Sequence, residues 1–198
     1  MYEVHVLFVG YCRPTNDGML ANCTCTLVKG PKNIIVDTMT PWDKAALVEA
    51  IHDHGLEVDD IDYVVSTHGH SDHIGNNNLF LKAQHLVGRC VSYKHIYYDD
   101  SKFFNSDGVY EIDNCIQIVS TPGHTLVDVS VIVQTTQESF GIVGDLFENE
   151  DDLMDESIWL NAGSENPDSQ RKNRKMIMEK VDWIIPGHGP MFSTNKYK

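Results

Sequence analysis

Basic residues are scarce in this chain: 15 Lys and Arg stand against 29 Asp and Glu, for a formal charge of −14. That excludes a broad cationic groove gripping nucleic acid through its phosphates. It leaves room for a local positive site created by bound divalent ions. No apolar run approaches the ~20 residues of a membrane-spanning helix, and no membrane contact is expected. The opening segment MYEVHVLFVGYCRP lacks a basic leader and a long apolar stretch, so no secretory signal is expected. There is no C-x-x-C pair. The five cysteines (Cys12, Cys23, Cys25, Cys90 and Cys115) are odd in number, which predicts reduced thiols in a reducing compartment. The expected location is the cytoplasm, with the nucleus as an alternative. No repeat, low-complexity tract or linker divides the sequence, so one domain spanning 1–198 is expected. A chain this long buries a core without staples, so a metal here would serve function.

What is present reads as strands, with helices between them. Apolar or β-branched runs predict strands at 4–9, 23–28, 33–36, 61–66, 115–120, 127–133, 139–143 and 183–186. Leu47, Val48 and Ile51 fall at helical spacing within 43–54, and Gly55 provides a stop. Asn166 as N-cap, Pro167 at the first position and Asp168 in the first turn predict a helix over 167–180. This alternation suggests an α/β or α+β layered sandwich. The stretch 94–107 reads as loop.

Chemistry concentrates in His68-x-His70-x-Asp72-His73, four potential ligands just after a predicted strand. In extended chain, positions 68 and 70 point to one side, and Gly69 between them lets the backbone bend. A turn into helix near Asp72 would re-aim the next two ligands toward a second ion. Three more segments repeat the pattern of strand, tight turn and ligand: Thr121-Pro122-Gly123-His124-Thr125, Gly144-Asp145 and Pro186-Gly187-His188-Gly189-Pro190. Together they supply five His and two Asp, enough for two sites. Imidazole and carboxylate suit zinc, and also iron or manganese. Two divalent ions would leave a small positive site suited to an anionic substrate and to hydrolysis. His5, His52, His54, His85 and His95 stand alone and read as ordinary hydrogen-bonded histidines.

At these residues the chain resembles the metallo-β-lactamase superfamily. The segments THGHSDH, TPGHT, GD and PGHGP match its motifs in order from position 67 to 190, and Asp37 matches its early aspartate. The resemblance implies a four-layer αββα sandwich with the metals at one edge. It implies that His68, His70 and His124 hold one ion, that Asp72, His73 and His188 hold the other, and that Asp145 bridges both. Asp72 and Asp145 would then be the catalytic carboxylates around a metal-bound hydroxide nucleophile, with Asp37 supporting the metal loop. The superfamily usually has Gly where this chain has Met39, so that turn is expected to differ. No cysteine occupies a ligand position, unlike some true lactamases. One branch with similar segments (Asp128 to Val131, Gly144 to Glu148, Val181 to Phe192) is associated with endoribonuclease action in histone pre-mRNA processing, which implies single-stranded RNA as substrate. The alternative is a small thioester or ester, as in glyoxalase II, whose extra C-terminal glutathione-binding domain is not expected here. A mononuclear iron dioxygenase is a third reading, opposed by the full second ligand set. Arg171, Lys172, Arg174 and Lys175 are candidate phosphate contacts, with a solvated helix face as the competing reading. Lys94, His95, Tyr97, Tyr98, Phe103 and Phe104 are candidates for the substrate cleft, with plain loop packing as the competing reading. A homodimer stays open, and no residue is assigned to leaving-group protonation.

Overall fold

A computed structural model describes residues 1–198. The strands in chain order begin with β1 (Glu3–Phe8), β2 (Tyr11–Thr15), β3 (Gly18–Asn22), β4 (Cys25–Lys29) and β5 (Ile34–Val36). Helix α1 (Lys44–Asp53), strand β6 (Tyr63–Ser66) and the one-turn helix α2 (Ser71–Ile74) follow. Then come β7 (Gln84–Val87), β8 (Cys90–Tyr93), β9 (Ile96–Tyr97), β10 (Val109–Glu111), β11 (Ile116–Ser120), β12 (Val129–Gln134) and β13 (Ser139–Gly144). Helices α3 (Ser157–Asn161) and α4 (Pro167–Lys180) and strands β14 (Trp183–Pro186) and β15 (Phe192–Ser193) complete the fold. Seven strands pair as β1-β4-β5-β6-β7-β8-β9, six as β10-β11-β12-β13-β14-β15, and β2 pairs only with β3.

The two large sheets face each other, and the period-2 alternation of the strands shows how. Val28, Ile34, Val36 and Val65 of the first sheet pack against Ile118, Val131, Val133, Ile142 and Ile185 of the second. Their immediate neighbours Leu27, Ile35 and Val64 point the other way, onto Leu47 and Ile51 of α1. On the far side Val119, Ile132, Val143 and Ile184 cover Ile177 of α4. Helix, sheet, sheet, helix is the expected αββα sandwich. Strands buried on both faces read as continuous apolar runs, which is why their sequences alternate weakly.

Strands β5, β6 and β7 run parallel, as do β13 and β14. β11 is antiparallel to β12, which is antiparallel to β13, so β11 shares the direction of β13. The loops after β5, β6, β11, β13 and β14 therefore leave from carboxyl ends, where α/β sheets place their sites. The two sheets are stitched at that edge: the Val129 amide donates to the Thr67 carbonyl at 2.9 Å, and Thr24 to that of Gly187 at 2.7 Å.

Helix α4 has the predicted bounds, and the Asn166 side chain caps it by accepting from Ser169 N–H. The β2–β3 hairpin and the β7–β8 pair were not expected. The first is exposed on nearly every residue, so it carries no apolar alternation. The second opens on the polar pair Gln84-His85. The region 94–107 is mostly loop, with the short β9 within it.

Candidate metal centre

Each of the seven predicted ligands reaches one place. His68 and His70 leave β6 in extended chain, and α2 then re-aims Asp72 and His73. His68 Nε2 lies 2.9 Å from His70 Nδ1, which lies 3.1 Å from His124 Nε2. Donor atoms of His68, His70, His124 and Asp145 all fall within 4.8 Å of one another, and so do those of Asp72, His73 and His188. Asp145 stands between the groups. Its Oδ2 is 3.6 Å from His68 and 3.4 Å from His124, while its Oδ1 is 3.2 Å from His73 and 3.3 Å from His188.

Close packing of the backbone sets this convergence. Gly144 has φ +52, and a Cβ there would come within 2.2 Å of Thr67 Oγ1. A Cβ on Gly187 would meet Asp145 Oδ1 at 2.0 Å. Gly69 is different: a Cβ would meet only Val87 at 3.8 Å, so the bend between the first two histidines does not depend on it.

Asp37 lies beneath this cluster. Its carboxylate accepts from the Thr67 amide at 2.7 Å, from the Thr67 hydroxyl and from His73 Nδ1–H at 2.9 Å. That bond fixes the tautomer of His73 and turns Nε2 toward Asp145. His188 Nδ1–H donates to the Asn22 carbonyl at 3.0 Å, to the same effect. Met39, at the position where a Gly is usual, holds φ +56, the left-handed backbone that favours Gly, with its side chain buried among Cys25, Leu47 and Phe80. Asp128 braces the His124 loop, accepting from Thr125 N–H at 2.7 Å.

Electrostatically, the centre is a set of groups that need a cation. Burial pushes His68 and His124 below the usual imidazole range. Burial would do the same to His73, but the Asp145 and Asp37 carboxylates override it and hold that ring well above its ordinary value. Burial also opposes ionisation of Asp145, and the surrounding imidazoles hold it well below the carboxylate range nonetheless. His73 Nε2 and Asp145 Oδ1 are buried without a hydrogen-bond partner. Orphaned buried polar atoms are costly. Their convergence with the other four imidazoles fits divalent ions between them.

Above the ligands lies a cleft of about 440 Å³. Cys12, Met19 and Ala21 of the hairpin form one side; Ile158, Asn161 and Ala162 at α3 form another, with Glu148 and Asn149 beside the metal groups. None of the aromatic candidates from 94–104 lines it. Phe104 is buried in the inter-sheet core, and Tyr98 and Phe103 pack against that core. Most of the basic run is likewise accounted for. Arg174 is buried and paired with Asp152 at 2.6 Å, Arg171 is held by Glu156 and Asp168, and Lys175 faces Glu179. Lys172 lies in a separate polar groove with Arg89, behind the His124 loop. The five lone histidines are not ligands in either group. All five cysteines are free thiols.

Sequence reasoning missed the network behind Asp145. Gln170 Nε2 donates to the Asp145 carbonyl, Arg174 to the Leu146 carbonyl, and Asp152 accepts from the Glu148 amide at 2.7 Å. It also missed the hairpin wall, whose Asp17-Gly18 pair carries a turn signal.

An αββα sandwich with this His and Asp constellation at its edge defines a metal-dependent hydrolase. The chain belongs to the metallo-β-lactamase superfamily, whose family model matches residues 19–188. It is 37% identical over 200 residues to metallo-beta-lactamase domain-containing protein 1 of Xenopus laevis, covering 99% of this chain and 83% of that one. The human protein of that name is 34% identical, with 96% of this chain and 82% of that one covered. Among solved structures, Bacillus thuringiensis AiiA with N-decanoyl-L-homoserine at its active site superposes with TM-score 0.66 at 20% identity, covering 95% and 92%. The dizinc quorum-quenching lactonase AidC gives 0.64 at 18% identity, covering 88% and 75%.

Proposed function

We propose that this chain hydrolyses small esters or thioesters at a pair of divalent ions, zinc in preference to iron or manganese. His68, His70 and His124 would hold one ion, Asp72, His73 and His188 the other, and Asp145 would contact both. Bound there, the ions supply Lewis acidity toward a carbonyl oxygen and make water more acidic. The chain's own residues do the rest. Asp37 and the Asn22 carbonyl hold His73 and His188 in register, while Gln170 pins the Asp145 backbone. Met19, Ala21, Ile158 and Ala162, which line the cleft, would flank the acyl side of the substrate.

The observation that carries the substrate class is the lining of the cleft. It contains no Lys or Arg, and the hairpin and α3 face it with mostly apolar or small side chains. A phosphodiester polymer needs cations along its path, and Arg171 and Arg174 are committed elsewhere. RNA cleavage is the second reading, favoured by the polar groove with Arg89 and Lys172.

Zinc-loaded protein assayed side by side on simple thioesters and on single-stranded RNA, with and without chelator, tests this. We expect chelator-sensitive thioester turnover that His70→Ala abolishes. RNA cleavage alone would overturn the proposal in favour of the second reading. One iron per chain in protein purified without added metal would replace both with a mononuclear enzyme.

A further inference from the structure

The groove behind the His124 loop has a volume of about 360 Å³ and shares no lining residue with the cleft. Apart from Pro122 and Gly108, its lining is polar throughout. Three parts of the chain meet there. The turn between β7 and β8 brings Arg89, the segment around β10 and β11 brings Asp107 and Ser120, and α4 brings Ser169 and Lys172, neighbours on one helix face. Arg89 is held rigidly. The Asp100 carboxylate accepts from its Nε at 3.0 Å and its Nη2 at 2.8 Å, and the guanidinium lies 4.7 Å from the centre of the Phe104 ring. Its Nη1 is left without a protein acceptor. Gly108, at φ +74, keeps the space beside it open: a Cβ there would lie 3.6 Å from Arg89 Nη1 and 3.1 Å from Ser120 Cβ. The hydroxyls of Ser120 and Ser169 bond to nothing in the protein. Lys172 forms no ion pair, whereas Arg171, Arg174 and Lys175 beside it all do. Asp107 is the one carboxylate on the groove, and it too is unpaired.

We propose that this groove binds a phosphomonoester of a small polyol, its phosphate taken by Arg89 Nη1, Ser120 Oγ and Lys172 and its hydroxyls donating to Asp107. A fixed guanidinium N–H, an ammonium and free hydroxyls around one space are the donors a phosphate needs. The lining offers no apolar wall to an acyl or aryl body, and a carboxylate, which only accepts, suits a body that carries hydroxyls. Two cations on a chain of net charge −14 hold one phosphate and not a polymer track. This ligand is separate from the substrate of the metal centre, and its binding does not depend on which bond the ions cleave.

Calorimetric titration of zinc-loaded protein with glycerol 3-phosphate, phenyl phosphate and inorganic phosphate tests this. We expect glycerol 3-phosphate to bind tightest, and Lys172→Ala to weaken it about tenfold or more, as for the loss of a charged hydrogen bond. Asp107→Ala should bring glycerol 3-phosphate and phenyl phosphate together. Both side chains are exposed and unpaired, so neither change should disturb the fold. Affinity that survives Lys172→Ala overturns the proposal, since the phosphate then sits at the metal ions. Failure of glycerol 3-phosphate to bind overturns it outright. Phenyl phosphate or inorganic phosphate bound as tightly by the wild type refutes the polyol. An RNA oligomer without terminal phosphate that binds more tightly than glycerol 3-phosphate, and is weakened by Lys172→Ala, gives the groove to RNA instead.

Discussion

Single residues behind the ligands carry much of the design. Asp37→Ala removes the acceptor for His73 Nδ1–H and for the Thr67 amide. We expect a loss of about 10- to 100-fold in affinity for divalent metal, read by competition with a chromogenic chelator. Met39 inverts a familiar rule. Truncating a buried Met costs about 2–5 kcal/mol, but φ +56 is strained for any side chain with a Cβ. Met39→Gly should therefore be less destabilising than Met39→Ala, by up to about 1 kcal/mol, in urea denaturation. The opposite ranking would show that the turn relaxes. Asp128 gives a pH signature. Burial pushes its carboxyl up to about 7, against the bonds from Thr125. A carboxyl raised on folding binds its proton more tightly in the native state, so its stabilisation is full below the unfolded value near 4 and fades as pH rises toward 7. Asp128→Asn should gain thermal stability over wild type at pH 8 and not at pH 4, measured on chelator-treated protein.

Elements explain what sequence could and could not reveal. α4 and β14 were legible to the residue because Asn166, Pro167 and the apolar run 183–186 obey local rules that tertiary contacts did not override. The ligand loops were legible because Gly and Pro frame each ligand at a strand end. The hairpin was not: a two-stranded element outside both sheets buries little, so its residues show no pattern. Charge was the least readable property, since a run such as Arg171 to Lys175 does not say which side chain faces in. Arg174 does, packing on Phe147 at 4.0 Å and pairing with Asp152. Arg174→Ala leaves that carboxylate buried without its cation, with the Glu148 amide still donating to it, which we expect to cost about 3–5 kcal/mol by chemical denaturation. Lys175→Ala, with its partner Glu179 4.0 Å away on the exposed face, should change stability by under about 0.5 kcal/mol.

At the scale of the whole molecule, the net charge of −14 and a cleft lined by no Lys or Arg make a clear statement about salt. Turnover of a neutral ester should vary less than about twofold between roughly 50 and 200 mM salt, whereas a substrate held through several phosphates would lose orders of magnitude. A stopped assay across that range decides. The hairpin links this outer surface to the centre. β3 ends at Asn22, whose carbonyl steadies His188 and whose side-chain amide reaches Asp43. The flap that shapes the substrate's berth is thus also the hinge-post of one imidazole. Redesigning its tip around Met19 for a bulkier acyl chain would alter selectivity alone, while lengthening it near Asn22 would loosen an ion, and the two engineering routes would part company in metal retention.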